Sequence, residues 1–187
     1  MRGVDRTQLT PLAEILVWSY LDTAIYSRQF KEEYEQPPTT MAKVHHLLAI
    51  AQAHVNKHEQ LQLCPEFIEY GKLQVIDQTT KRTYLVRSSA AVAIEDARQG
   101  VLFPRGALET PIIMVIHRFH PEGLDLSIAG TRQQPGRQRL VASGPATFVA
   151  TWPFITAGPT QPFDQGQADP FGEVGPIEEE DEGGDAG

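Results

Sequence analysis

Leu73-Gln74-Val75-Ile76-Asp77-Gln78-Thr79-Thr80-Lys81-Arg82-Thr83-Tyr84-Leu85-Val86 is the stretch where the pattern of the chain changes. Upstream of it, apolar residues recur every three to four positions. From Lys72 onward they alternate. The first spacing belongs to helices and the second to half-buried strands. The stretch itself predicts a β-hairpin, with strands Leu73–Asp77 and Arg82–Val86 joined by the polar turn Gln78-Thr79-Thr80-Lys81. It separates a helical first part from a sheet-forming second part.

Toward the N-terminus two helices are expected. Thr10-Pro11 reads as a helix start, with Thr at the N-cap and Pro at the first helical position, where its missing N–H costs nothing. Leu12, Ile15, Leu16, Trp18, Leu21 and Ile25 then make an apolar surface wider than one helical stripe. Such width predicts packing on two sides, or contact with a partner protein or a second copy. The polar run Lys31-Glu32-Glu33-Tyr34-Glu35 meets Pro37-Pro38, which must end the helix. Thr39 or Thr40 caps a second helix, whose Val44, Leu47, Leu48, Ala51 and Val55 share a face. The short link makes the pair an antiparallel hairpin. Pro65 to Tyr70 is a connector.

Toward the C-terminus Ser88-Ser89 and Gly100 bracket a short helix at roughly 89–99. Ile112-Ile113-Met114-Val115-Ile116 is apolar on both faces and reads as a central, covered strand. His120-Pro121-Glu122-Gly123 is a turn, followed by a strand in which Leu124, Leu126 and Ile128 alternate with smaller or polar residues. Gln133-Gln134-Pro135-Gly136 is a second turn. Arg139–Ser143 and Thr147–Trp152 complete the sheet, broken at Gly144-Pro145. Simple alternation places Phe148, Ala150 and Trp152 on one face. The expected class is α+β: an N-terminal antiparallel helical hairpin, then a mainly antiparallel sheet of about six strands with one short inserted helix.

Charge divides the chain a second way. All 16 Lys and Arg lie in residues 1–157, against 15 of the 24 Asp and Glu. Residues 158–187 hold the other nine carboxylates, with seven Gly, four Pro and no basic residue. The formal charge of −8 is thus a body of +1 and a tail of −9. A segment of that composition does not bury enough apolar surface to offset its ordering entropy. The expected organisation is one globular α+β domain at 1–157 and a disordered acidic tail at 158–187. The body is uneven too, with net −3 over residues 1–69 and +4 over 70–157. A dedicated duplex binder carries a stronger basic excess. No apolar run spans a bilayer, the opening residues carry no apolar leader, and the single Cys64 permits no internal disulfide. A soluble, cytoplasmic protein without membrane contact is expected.

No complete catalytic or cofactor motif is present. There is no nucleophile elbow, no Walker lysine and no Gly-x-Gly phosphate loop, so no cofactor is expected. His54 and His58, four apart, would share a helix face, and with Cys64 and His120 would make chemically reasonable zinc ligation. The simpler reading leaves both histidines edging the core face. Arg132, Arg137 and Arg139 flank one turn, and Lys81, Arg82 and Arg87 flank another with Tyr84 between them. Basic hairpins with an interleaved aromatic are how single-strand binders track a phosphate backbone and stack a base. Basic residues on strand edges also prevent edge pairing, without any ligand.

Three functional expectations follow in order. The first is a non-enzymatic interaction or accessory protein, using the apolar helix-one surface (Trp18, Leu21, Ile25) and aromatic anchors of the acidic tail (Phe163, Phe171). The second is a single-stranded nucleic-acid binder, whose basic residues the tail occupies in competition with the ligand. The third is a histidine-based metalloprotein or enzyme.

Overall fold

The computed structural model describes residues 4–64, 73–93, 108–133 and 140–154; side chains at 108 and 109 are excluded. The connector at Pro65–Tyr70, the C-terminal part of the inserted helix with Gly100, the turn at 134–136, Arg137, Arg139 and the whole acidic tail with Phe163 and Phe171 lie outside the described residues. Two helices, α1 (Arg6–Tyr34) and α2 (Thr40–Val55), precede seven strands. These are β1 (Leu61–Leu63), β2 (Leu73–Asp77), β3 (Arg82–Ser88), β4 (Leu108–His120), β5 (Gly123–Gln133), β6 (Leu140–Ala142) and β7 (Thr147–Pro153). The expected α+β class, with helices first and a mainly antiparallel sheet after, is what forms.

α1 begins five residues before the expected start. Asp5 is its N-cap: the Gln8 N–H donates to Asp5 Oδ1 at 3.0 Å, and the Asp5 N–H donates to Gln8 Oε1 at 3.3 Å. Val4 and Leu9, both buried, flank this capping box at the N′ and N4 positions of a hydrophobic staple. Two local devices at Val4-Asp5-Gln8-Leu9 thus outweigh the Thr10-Pro11 signal. Pro11 sits inside the helix, and Thr10 serves there rather than as cap, its Oγ1 donating to the Arg6 carbonyl at 3.0 Å. The far end stops as expected before Pro37, with Glu35 left-handed at φ 56°. Thr39 is the cap of α2, its Oγ1 accepting from the Ala42 N–H at 3.2 Å.

α1 is the spine of the molecule. Leu9, Leu12, Leu16 and Tyr20 are buried, and Tyr20 stacks on Phe119 of β4 at 4.1 Å. Each such side chain contributes about 1.5–3 kcal/mol on leaving water. Ser19 and Thr23 are also fully buried; their hydroxyls donate to the carbonyls of Ile15 and Ser19 at 2.7 Å, so the helix satisfies them itself. α2 packs beside α1 through Leu47, Ala51 and Val55. His46 clasps the pair, 3.0 Å from Asp22 and stacked on Tyr26 at 4.2 Å.

The sheet order is β1-β2-β3-β4-β5-β6, with β7 also on β5. β1 is a strand that the sequence pattern did not announce, because three residues show too little alternation. β3 and β4 pair in parallel, the exception in an otherwise antiparallel sheet. A helix starting at Ser89 leaves the end of β3, and the Ala91 N–H donates to Ser88 Oγ at 3.2 Å. A crossover of this kind makes parallel pairing possible. β6 and β7 share the outer edge of β5 as one interrupted strand: β6 pairs with Thr131–Gln133 and β7 with Gly123–Ile128.

One face of the sheet, with Tyr84, Val86, Val115, Phe119, Leu124, Leu126 and Trp152, packs under the helices. The other carries a smaller cluster of Leu85, Met114, Ile116 and Ala129 covered in part by Val92. Phe148 is a correction to the alternating pattern. The β5–β7 register shifts between Leu126 and Ser127, so Ala150 opposes Leu126 but Phe148 opposes Ser127. A residue slipped at a bulge changes face. Trp152 is buried while Phe148 is 60% exposed.

Candidate interaction surface on the first helix

The side of α1 turned away from the sheet and from α2 is not polar throughout. Trp18 is 57% exposed and Ile25 is 56% exposed, and half-buried Leu21 lies between them. Positions 18, 21 and 25 fall within about 60° around a helix, so the three form one ridge. The expected apolar surface therefore resolves into two parts. Leu12, Ile15 and Leu16 enter the core, Leu21 packs against its edge, and Trp18 and Ile25 stay at the surface. Exposed Glu14, Asp22, Arg28 and Glu32 border the ridge. Burying Trp18 and Ile25 against a partner would remove apolar area that the fold itself leaves in water. Tyr34 and Met41, both exposed, add apolar area at the tip of the helical hairpin. Nothing in the local pattern marked those two: Tyr34 lies in a polar run and Met41 in the first turn of α2.

The basic residues divide differently. Tyr84 is fully buried on the helix-facing side of β3, so its ring has no free face for a base. Burial also raises its phenol pKa. Even-numbered residues of β3, such as Tyr84 and Val86, face the helices and odd-numbered Leu85 faces the other side, a parity that composition alone does not reveal. Arg82 donates to Gln8 Oε1 at 2.8 Å and ties β3 to the capping box of α1. Lys81, left-handed at φ 56°, donates to Gln78 at 3.1 Å. The turn they close is held by Asp77, which accepts from the Thr79 and Thr80 N–H groups and the Thr80 hydroxyl. Topology does bring two basic segments to one end of the sheet. Because β3 parallels β4 and β5 opposes it, the β2–β3 turn with Lys81 and Arg82 lies at the same end as Arg132 near the end of β5. Arg87 is at the opposite end of β3.

His54 and His58 do not share a helix face. α2 ends at Val55, so His54 is helical and His58 is not. The His58 Nδ1 accepts from the Gln60 N–H at 3.1 Å. His120 pairs with Asp125 at 3.2 Å, and Thr151 donates to the same carboxylate at 2.6 Å. Among the described residues no three His, Cys, Asp or Glu side chains converge on a point. Cys64 is a free, half-buried thiol. An open cleft near the start of α1 is lined by Pro11, Glu14, Lys57, His58, Glu59 and Gln60.

Among the described residues, His117 is the one strongly perturbed group. Its Nδ1 is closed off from solvent without a hydrogen-bond partner, and burial lowers the imidazole pKa to about 4. It pairs with Ser88 across β3 and β4, yet that hydroxyl caps the following helix. No helix among the described residues is long and apolar enough to cross a membrane. No protein-family model matches the chain, and neither a curated protein nor a solved structure matches it.

Proposed function

We propose that this chain is a non-enzymatic protein-interaction module of the cytoplasm, whose contact surface is the α1 ridge of Trp18, Leu21 and Ile25. One observation carries the reading: the helix that forms the core spine also leaves a Trp and an Ile more than half exposed on a single ridge. Large aromatics at the centre of an apolar patch are the usual anchors of protein interfaces. The acidic tail, with Phe163 and Phe171, supplies a second, linear contact on the same reading. Affinity capture from the native host tests it, comparing the wild-type chain with Trp18→Asp and with a chain lacking residues 158–187. The substitution is at a solvent-facing position, so thermal melting should match wild type. Bound proteins lost on Trp18→Asp support the ridge. Identical capture by a folded Trp18→Asp protein rejects it.

A second reading rests on the basic end of the sheet, since Lys81 and Arg82 lie at the same end as Arg132, two strands away. In that reading an anionic polymer binds there and the tail competes for the same residues. If residues 158–187 behave as a flexible coil, they reach about 30 Å, enough to touch most of the body at an effective concentration on the order of millimolar. Deleting residues 158–187 should then tighten binding of a fluorescent single-stranded oligonucleotide at least threefold at about 50 mM salt, an effect fading as salt rises. Equal anisotropy curves for the two proteins at low salt would remove this reading.

A further inference from the structure

We infer that the partner of the α1 ridge is a second copy of this chain, docked antiparallel across a two-fold axis near Leu21. The inference rests on the reading of the ridge as a contact surface and names its occupant. A two-fold interface uses one patch twice, so residues at equal distances either side of the axis meet. The ridge has that symmetry. Trp18 lies three residues before Leu21 and Ile25 four after it, while Glu14 and Arg28 each lie seven away. An antiparallel pair sets Trp18 of each copy over Ile25 of the other. It also sets Glu14 of each against Arg28 of the other, giving two ion pairs at the two ends of an apolar centre. Glu14 and Arg28 are both exposed, and neither is in an ion pair among the described residues. Asp22 is engaged within its own chain by His46.

Charge also argues against the other occupant that the chain offers. The ridge is bordered by Glu14, Asp22 and Glu32 against Arg28 alone, so a tail with nine carboxylates would be repelled. A second copy instead offers Arg28 to Glu14 twice, while Asp22 stays engaged by its own His46. The contact covers only a few helical turns, short of the roughly 800 Å² per partner of a standard interface. The dimer is therefore weak, with a Kd on the order of tens to hundreds of micromolar.

Sedimentation equilibrium of the full chain over about 5–500 μM tests this. Wild type should follow a monomer–dimer curve, and Trp18→Asp should stay monomeric throughout. Glu14→Arg and Arg28→Glu should each weaken the dimer about tenfold, since each turns two attractions into repulsions. The double variant E14R/R28E should recover most of that loss, because the pairs re-form with signs exchanged. A wild type that is monomeric at every concentration overturns self-association, as does a dimer that Trp18→Asp leaves intact. Recovery absent in the double variant overturns the antiparallel register. If wild type is monomeric yet Trp18→Asp still loses captured proteins, the ridge remains a contact surface for another partner. If neither assay responds to Trp18→Asp, the interaction reading itself fails.

Discussion

His117 and Gly123 show how much a single position is constrained once its neighbours are known. The His117 imidazole is held neutral, its pKa lowered from 6.5 to about 4 by burial. Between those values the unfolded chain binds a proton that the folded chain does not. The group therefore costs stability as pH falls through that window, by up to about 1.4 kcal/mol per pH unit. Replacing it in His117→Phe should flatten the acid limb of the stability curve by about one proton. Denaturant unfolding at several pH values between 4 and 7.5 checks this, and an unchanged slope would mean that the ring titrates elsewhere. At Gly123 an added Cβ would lie 2.3 Å from the Trp152 carbonyl oxygen and 2.9 Å from the Pro153 Cα. Both are backbone atoms, so β5 and β7 must separate to admit it. Gly123→Ala should cost about 1–3 kcal/mol, read as a lower thermal midpoint. Neither residue was legible in advance. The sequence marks Gly123 as a turn residue, but the close approach of β7 exists only after the strands pair.

At the scale of elements, α1 depends on a short N-terminal device. Gln8 closes the capping box and also accepts from Arg82, so one amide fixes the start of the helix and its seat on β3. Gln8→Ala removes both, and should cost about 1–2 kcal/mol. Equilibrium unfolding checks the loss; a value within about 0.3 kcal/mol of wild type would show the cap to be dispensable. The helix itself was legible from its spacing, but its start was not. A Thr-Pro pair is a strong local signal. The Val4-Asp5-Gln8-Leu9 staple competes with it only because Val4 and Leu9 find a core to enter. The β2–β3 hairpin was legible throughout, since alternation, turn residues and loop length agreed. β7 was legible in extent but not in facing, because a bulge inverts one half of a strand while leaving its composition unchanged.

For the whole molecule, composition and periodicity were enough for the class of fold: two amphipathic helices, then alternating segments. The parallel β3–β4 pair was hidden, since pairing direction depends on where the crossover leads. The candidate surface was half legible. A helix too apolar for one interface announced that something must cover it, but spacing alone did not say which residues the sheet would take. The sheet and α2 take Leu12, Ile15 and Leu16, and leave Trp18 and Ile25 outside. The proposed basic surface was less legible, since Tyr84 lies inside the core. The chain has two Trp, one exposed and one buried. The difference in fluorescence between wild type and Trp18→Phe therefore isolates Trp18 without disturbing the core. Acrylamide quenching of that difference signal, followed from about 1 to 300 μM protein, reads directly whether the ridge is covered. Strong quenching at low concentration, falling at least twofold as the chain associates, is the predicted result. A quenching constant that does not change with concentration would contradict coverage of the ridge by a second copy.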